Sequence, residues 1–132
     1  MNSISDNGLY FLPLGGTGEI GMNLNLYGHA GKWLMIDLGV MFGDDSTPGI
    51  DVIMPDIRYI EDRRDKLVGL VLTHAHEDHL GAVPYLWPRL GCPIYATSFT
   101  ASALRAKLRE QGLSLRAIAV DGPDAFYKGW IA

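Results

Sequence analysis

Apolar and polar positions alternate through "MNLNLYG", residues 22–28. That period of two is the mark of a half-buried strand. "LYFLPL" (9–14) reads as the strand before it, and "WLMIDLG" (33–39) as the strand that returns after the turn "HAGK". "GGTGEIG", between the first two, is a glycine-rich turn. The unbroken apolar run "GLVLT" (69–73) predicts a buried strand, "PIYAT" (93–97) another and "LRAIAV" (115–120) a last one. Helical spacing appears in "IRYIEDRRDKL" (57–67), with Ile57, Ile60 and Leu67 toward the core and the charges outside. A second helix is expected from Ser98 to Gln111. Ser98 or Thr100 can cap it, Ala101, Leu104 and Leu108 form its stripe, and Gly112 can stop it. Another helix is expected to begin near Gly81, with Pro88 breaking or kinking it after Pro84. Residues 40–56 read as a loop rich in Gly, Pro and Asp, and residues 121–132 show no period.

The 132 residues suffice for one domain with a core. At 48% hydrophobic and 20% charged, the composition is that of a globular chain. The net charge of −4 argues against a surface that binds nucleic acid all over. Two basic groups, Arg58, Arg63, Arg64 and Lys66, then Arg105, Lys107 and Arg109, read as solvated helix faces. Cys92 is the one cysteine, so an intrachain disulfide is excluded and a reducing, cytoplasmic setting is expected. The polar N-terminus lacks the basic and apolar parts of a signal peptide, and no apolar run nears the ~20 residues of a membrane span.

The chemistry concentrates in "THAHEDH", residues 73–79, directly after a predicted strand. In an extended segment His74 and His76 point to the same side, and Asp78 and His79 follow where the chain must turn. Imidazole and carboxylate are zinc ligands, and paired metal ions are a hydrolytic device that acidifies a shared water and steadies charge on the leaving group. Three histidines and two acids so close together are hard to explain by packing, because burying them unpartnered would cost several kcal/mol. Glu77 reads as solvated or supporting, not ligating.

"THAHEDHLG" resembles the H-x-H-x-D-H signature of the metallo-β-lactamase superfamily. "PLGGTGEIGMNLNLY", "WLMIDLGVMFGDDSTPGIDVIMPD", "KLVGLVLTHAHEDHLGAVPYL" and "PIYATSFTASALRAKLRE" are similar to the N-terminal part of its ribonuclease J branch, the β-CASP nucleases, over about residues 9–113. The resemblance implies an α/β (α+β) fold, the N-terminal half of a four-layer αββα sandwich, with residues 1–132 a partial domain and 121–132 unassigned. It implies two Zn2+ ions, the first on His74 and His76 and the second on Asp78 and His79. Asp37 would support the metal loop without ligating, although a plain strand-end role is an equal reading. Asp78 would also orient the metal-activated water. The implied activity is RNA 5′-end processing, with both exo- and endonucleolytic cleavage of 5′-monophosphorylated RNA, by a homo-oligomer.

Two catalytic zinc ions take about six protein contacts, and the cluster supplies four. His29 sits in an exposed turn, Cys92 reads as a small buried hydrophobe, and Asp121 and Asp124 lack a matching context. The expectation is therefore the first part of a larger enzyme, inactive alone, with an uncovered sheet face that promotes association. Three rivals stand beside it. Gly16–Gly21 formally fits the dinucleotide-binding G-x-G-x-x-G, but that fingerprint must open a helix and here a strand follows. The chain could instead be a thioesterase- or lactonase-type hydrolase of the same superfamily, or a non-catalytic remnant.

Overall fold

One row of apolar residues runs straight across the sheet: Leu12 lies opposite Leu26, Leu26 opposite Met35, Met35 opposite Leu70, and Leu70 opposite Ile94. Leu26, Met35, Leu70 and Ile94 are fully buried, each worth roughly 1.5–3 kcal/mol of transfer free energy. A computed structural model describes residues 7–18, 21–43, 45–110, 112 and 118–119. In it β1 (Leu9–Gly15), β2 (Leu24–His29) and β3 (Lys32–Ile36) form an antiparallel meander. Ala30 and Gly31, both at positive φ, make the tight turn between β2 and β3. The segment expected to be a loop, 40–56, contains a small hairpin of β4 (Met41–Phe42) and β5 (Val52–Ile53). The chain then crosses over and adds β6 (Leu67–Val71), β7 (Ile94–Tyr95) and β8 (Ile118–Ala119), all parallel to β3, in the order β1-β2-β3-β6-β7-β8. The expected last strand is present as β8, and residues 121–132 lie outside the described residues.

Helices cover the face that carries the buried row. The predicted helix at 57–67 is two shorter pieces, α1 (Arg58–Glu61) and a 3-10 turn (Arg64–Lys66), and Leu67 already belongs to β6. Ile57, Ile60 and Leu67 are all buried, as the stripe requires. Tyr59 meets Trp33 edge-on at 5.6 Å, and the Arg63 guanidinium stacks 3.8 Å over the Tyr59 ring. Glu61 accepts two hydrogen bonds from Arg89, at 2.6 and 2.7 Å, which ties α1 to the helix after the histidines. Arg58 pairs in the same way with Asp56 and holds that carboxyl down at about 2. Of the cations that precede β6, Arg58, Arg63 and Arg64 have structural partners: Asp56, the Tyr59 carbonyl and the Glu61 carbonyl.

The helix expected to begin near Gly81 is α3 (Val83–Leu90), with Ala82 at its N-cap, and a short helix not read from the sequence, α2 (Glu77–Leu80), precedes it. Two other expectations about helices are corrected. Pro88 does not break α3. It removes one hydrogen bond, that to the Pro84 carbonyl, while Val83, Leu86 and Leu90 anchor the helix on both sides of it. Helix α4 (Ser98–Glu110) buries Ala101, Leu104 and Leu108 as predicted. Its cap is Thr97, whose hydroxyl accepts from the Thr100 amide at 3.3 Å, in place of Ser98 or Thr100. Gly112, at φ +71°, follows the helix as expected.

The other sheet face is apolar and partly open at its β1 edge. Leu9 is 77% exposed, Phe11 52% and Tyr27 41%, with the Phe11 and Tyr27 rings 5.2 Å apart. Because β3, β6 and β7 are parallel, their C-terminal ends meet along one edge, where ligands of open α/β sheets collect. That edge carries Asp37, the histidine loop and Thr97. No described helix is long and apolar enough to cross a membrane.

Cys92 follows the left-handed Gly91 that ends α3, and it is buried. Burial pushes its thiol up to about 11. The folded chain should therefore react with iodoacetamide at about pH 8 at least ~10-fold more slowly than the chain in denaturant. Equal rates would show that the thiol is not enclosed.

Candidate metal centre

Asp37 follows the last residue of β3 with φ at +65°, a left-handed conformation that few residues besides Gly, Asn and Asp adopt readily. That bend ends the strand three residues earlier than the stretch 33–39 suggests and turns the carboxylate inward, where it is 4% exposed. A carboxylate so buried needs donors. Thr73 supplies two, its amide to Oδ1 at 2.8 Å and its hydroxyl to Oδ2 at 2.8 Å. The third is the His79 ring, whose Nδ1 lies 2.7 Å from Oδ2.

This network assigns the histidine tautomers. Asp37 is an acceptor, so His79 donates from Nδ1 and keeps a free lone pair on Nε2. Thr73 gives its only hydroxyl proton to Asp37. Its oxygen can then only accept from His74, whose Nδ1 is 2.9 Å away, and His74 likewise keeps Nε2 free. One buried carboxylate thus prepares two imidazoles for a cation, one directly and one through a threonine.

The loop itself is stitched to its neighbours by the backbone. Asn23 donates twice to the Asp78 carbonyl, from its amide and from Nδ2, both at 3.0 Å. Leu38 donates to the His79 carbonyl at 2.8 Å, Val40 to Glu77 at 3.0 Å, and Ala82 to Leu38 at 3.0 Å. Gly39 has no side chain for a steric reason: a Cβ there would be driven into the Asp78 carbonyl. The glycine-rich turn delivers Asn23 to this contact, and a strand follows it, which removes the dinucleotide-binding reading.

His74, His76 and Asp78 come together, each with a ligating atom within 4.8 Å of the others'. His79 stands beside them, its ring 3.9 Å from that of His74 and its Nε2 3.4 Å from Asp78 Oδ2. Two zinc ligands with bonds of 2.0–2.2 Å lie roughly 3.3–3.5 Å apart, so rotamer-scale movements would close the group on an ion. The donor set is one that zinc takes: imidazole and carboxylate, oriented by a buried acid. Asp78 is near both the first histidine pair and His79. Glu77 is outside the group and pairs with Lys107 on α4 at 2.5 Å. His29 lies at the far end of β2 with its ring at the Gly8 carbonyl, 3.1 Å away. Asp121 and Asp124 are outside the described residues.

The metallo-beta-lactamase superfamily model matches residues 21–128. The chain belongs to the metallo-beta-lactamase superfamily. The match includes the loop at 73–79 and extends into the stretch after Asp121. Within the superfamily, the chain is similar to ribonuclease J of Sinorhizobium meliloti, 51% identical over 106 residues, which are 77% of this chain and 19% of that protein. Ribonuclease J of Mycolicibacterium smegmatis is 43% identical over 118 residues, 89% of this chain and 21% of that protein. For the enzyme of Helicobacter pylori the figures are 39% over 113 residues, 86% and 16%. The chain thus spans about a fifth of the length of the curated relatives it matches. Among solved structures, the DIM-1 metallo-beta-lactamase covers 90% of this chain at a TM-score of 0.48 and 18% identity.

Reading from the sequence missed Asn23, Gly39 and Thr73. Asn23 looked like one more polar position in an alternating strand, and Thr73 like a strand residue. Replacing Asp37 by Asn keeps the shape and removes the charge that orients His79. Zinc affinity measured by calorimetry should fall ~10- to 100-fold while the circular dichroism spectrum is kept. An unchanged affinity would remove Asp37 from the metal site.

Proposed function

We propose that this chain supplies metal-binding residues to an RNA phosphodiester hydrolase of the ribonuclease J type. The observation that carries the reading is the convergence of His74, His76 and Asp78 at the end of β6, in a chain 51% identical to a ribonuclease J over 106 residues. His74 and His76 would hold a first zinc ion, and Asp78 and His79 a second. The four gathered donors fall short of the roughly six that two ions take. The remaining ligands are assigned to polypeptide beyond the described residues, with residues 1–132 contributing part of one domain. The cytoplasm fits as the compartment, since a single enclosed thiol needs no oxidising one.

Zinc bound here would supply Lewis acidity toward a phosphodiester and a water acidic enough to attack near neutral pH. The chain's own residues supply position. Asp37 keeps the proton of His79 on Nδ1, and Thr73 does the same for His74, so both rings present Nε2 without a tautomer change. Asn23 and Leu38 clamp the carbonyls of Asp78 and His79, which fixes where the Asp78 carboxylate stands. From there it would orient a nucleophilic water toward phosphorus. The substrate class proposed is 5′-monophosphorylated RNA, with cleavage both from the 5′ end and internally by an oligomeric enzyme.

The test is a chimera. In ribonuclease J of Sinorhizobium meliloti, the matching stretch is replaced by residues of this chain. Cleavage of 5′-monophosphorylated RNA should survive the exchange, and His76→Ala in the chimera should lower it by at least ~1000-fold, the scale of losing a metal's electrostatic contribution. Near-normal cleavage by the variant would overturn the assignment. A chimera that cleaves thioesters or lactones in preference to RNA would favour a different hydrolase of the superfamily.

A further inference from the structure

A cavity of about 340 Å³ opens beside the metal loop, on the side of α2 where Glu77 meets Lys107. Its walls are Phe42, Val52 and Tyr85, which are 60%, 38% and 48% exposed. Its volume lies within the range of small-molecule pockets. Gly81 lies at the base of the Glu77 side chain: a Cβ there would come within 2.6 Å of Glu77 Oε2 and 2.7 Å of Val40 Cγ2. The absence of that side chain leaves room for the carboxylate. Lys107 takes Oε1 at 2.5 Å, and Oε2 lies over Gly81.

Resting on the RNA-hydrolase reading, we infer that this cavity is a subsite for a guanine base of the substrate. Two aromatic rings and a valine give a flat base apolar surfaces to lie against, the usual way single-stranded RNA is gripped. The polar edge is selective. Guanine carries two adjacent donors, N1–H and the exocyclic amine, beside the acceptor O6. A carboxylate has lone pairs for both donors while still bonding an ammonium, and the ammonium has spare protons for O6. Adenine and cytosine each bring one amine donor beside acceptors that would face the carboxylate. Uracil places its single N–H between two carbonyls, which the carboxylate repels. The Val40 amide bonded to the Glu77 carbonyl holds this wall to the metal loop, so a base seated here would lie next to the backbone that carries Asp78.

The experiment titrates the 132-residue chain with GMP, IMP, AMP, CMP and UMP in the presence of chelator, following backbone amide NMR shifts. All five share the phosphate, so differences report the base. GMP should bind tightest, with shifts centred on Phe42, Glu77, Gly81 and Tyr85. IMP, which lacks the exocyclic amine, should bind at least ~5-fold more weakly, and AMP, CMP and UMP at least ~10-fold more weakly. Phe42→Ala should weaken every nucleotide, and Lys107→Gln, which removes the O6 partner that GMP and IMP share, should reduce the preference of both over AMP while GMP stays ahead of IMP. Equal binding of the five nucleotides, or shifts elsewhere, overturns the inference. No metal and no cleavage enter this readout. Its failure leaves the hydrolase reading intact, and failure of the chimera leaves the base ranking to stand or fall on its own.

Discussion

A carboxylate that is almost sealed from water governs this structure. Asp37 cannot be there unless donors surround it, and each donor it recruits has a second task. The Thr73 amide and hydroxyl fix the start of the histidine loop. The His79 ring, held by Nδ1, presents its other nitrogen to the donor group. The left-handed bend at Asp37 lets one residue end a strand and anchor a loop. Without it the apolar run of β3 would carry the carboxylate past the edge of the sheet.

The topology explains why these contacts are available. Parallel pairing of β3 with β6 brings the ends of two strands, distant in sequence, to the same edge. Asp37 follows one and Thr73 the other. The antiparallel meander before them has its own part in this, since it returns Asn23 to the same edge and lets it clamp the Asp78 carbonyl. Helix α2 has no side-chain cap of its own, and the Asn23, Leu38 and Val40 amides hold it in place through the carbonyls of Asp78, His79 and Glu77. The buried row across the sheet stabilises the platform, and the strained, polar features are confined to its rim.

Much of this was legible in the residues. Period-two alternation located β2, apolar runs located β6 and β7, and the 3–4 spacing of Ala101, Leu104 and Leu108 located α4, because these signals are local. The histidine cluster was equally plain, since its residue types have few reasons to occur together. What escaped was set by contacts between distant segments. Asn23 and Gly39 matter through Asp78, about forty to fifty-five residues away, and neither carries a local mark of that role. The start of α2 at Glu77 was hidden because His76 is no side-chain cap, and the helix is fixed by tertiary hydrogen bonds instead. Pro88 misled for the related reason that packing on either side of a two-turn helix outweighs one missing hydrogen bond.

Asp37 sets the protonation pattern of the imidazoles before any cation arrives. Ring-nitrogen NMR of the metal-free chain, at a pH where the rings are neutral, reads that pattern directly. His74 and His79 should both carry their proton on Nδ1, with Nε2 resonating as an unprotonated nitrogen. Rings that carry the proton mainly on Nε2, or exchange freely between the two forms as an exposed imidazole does, would contradict it.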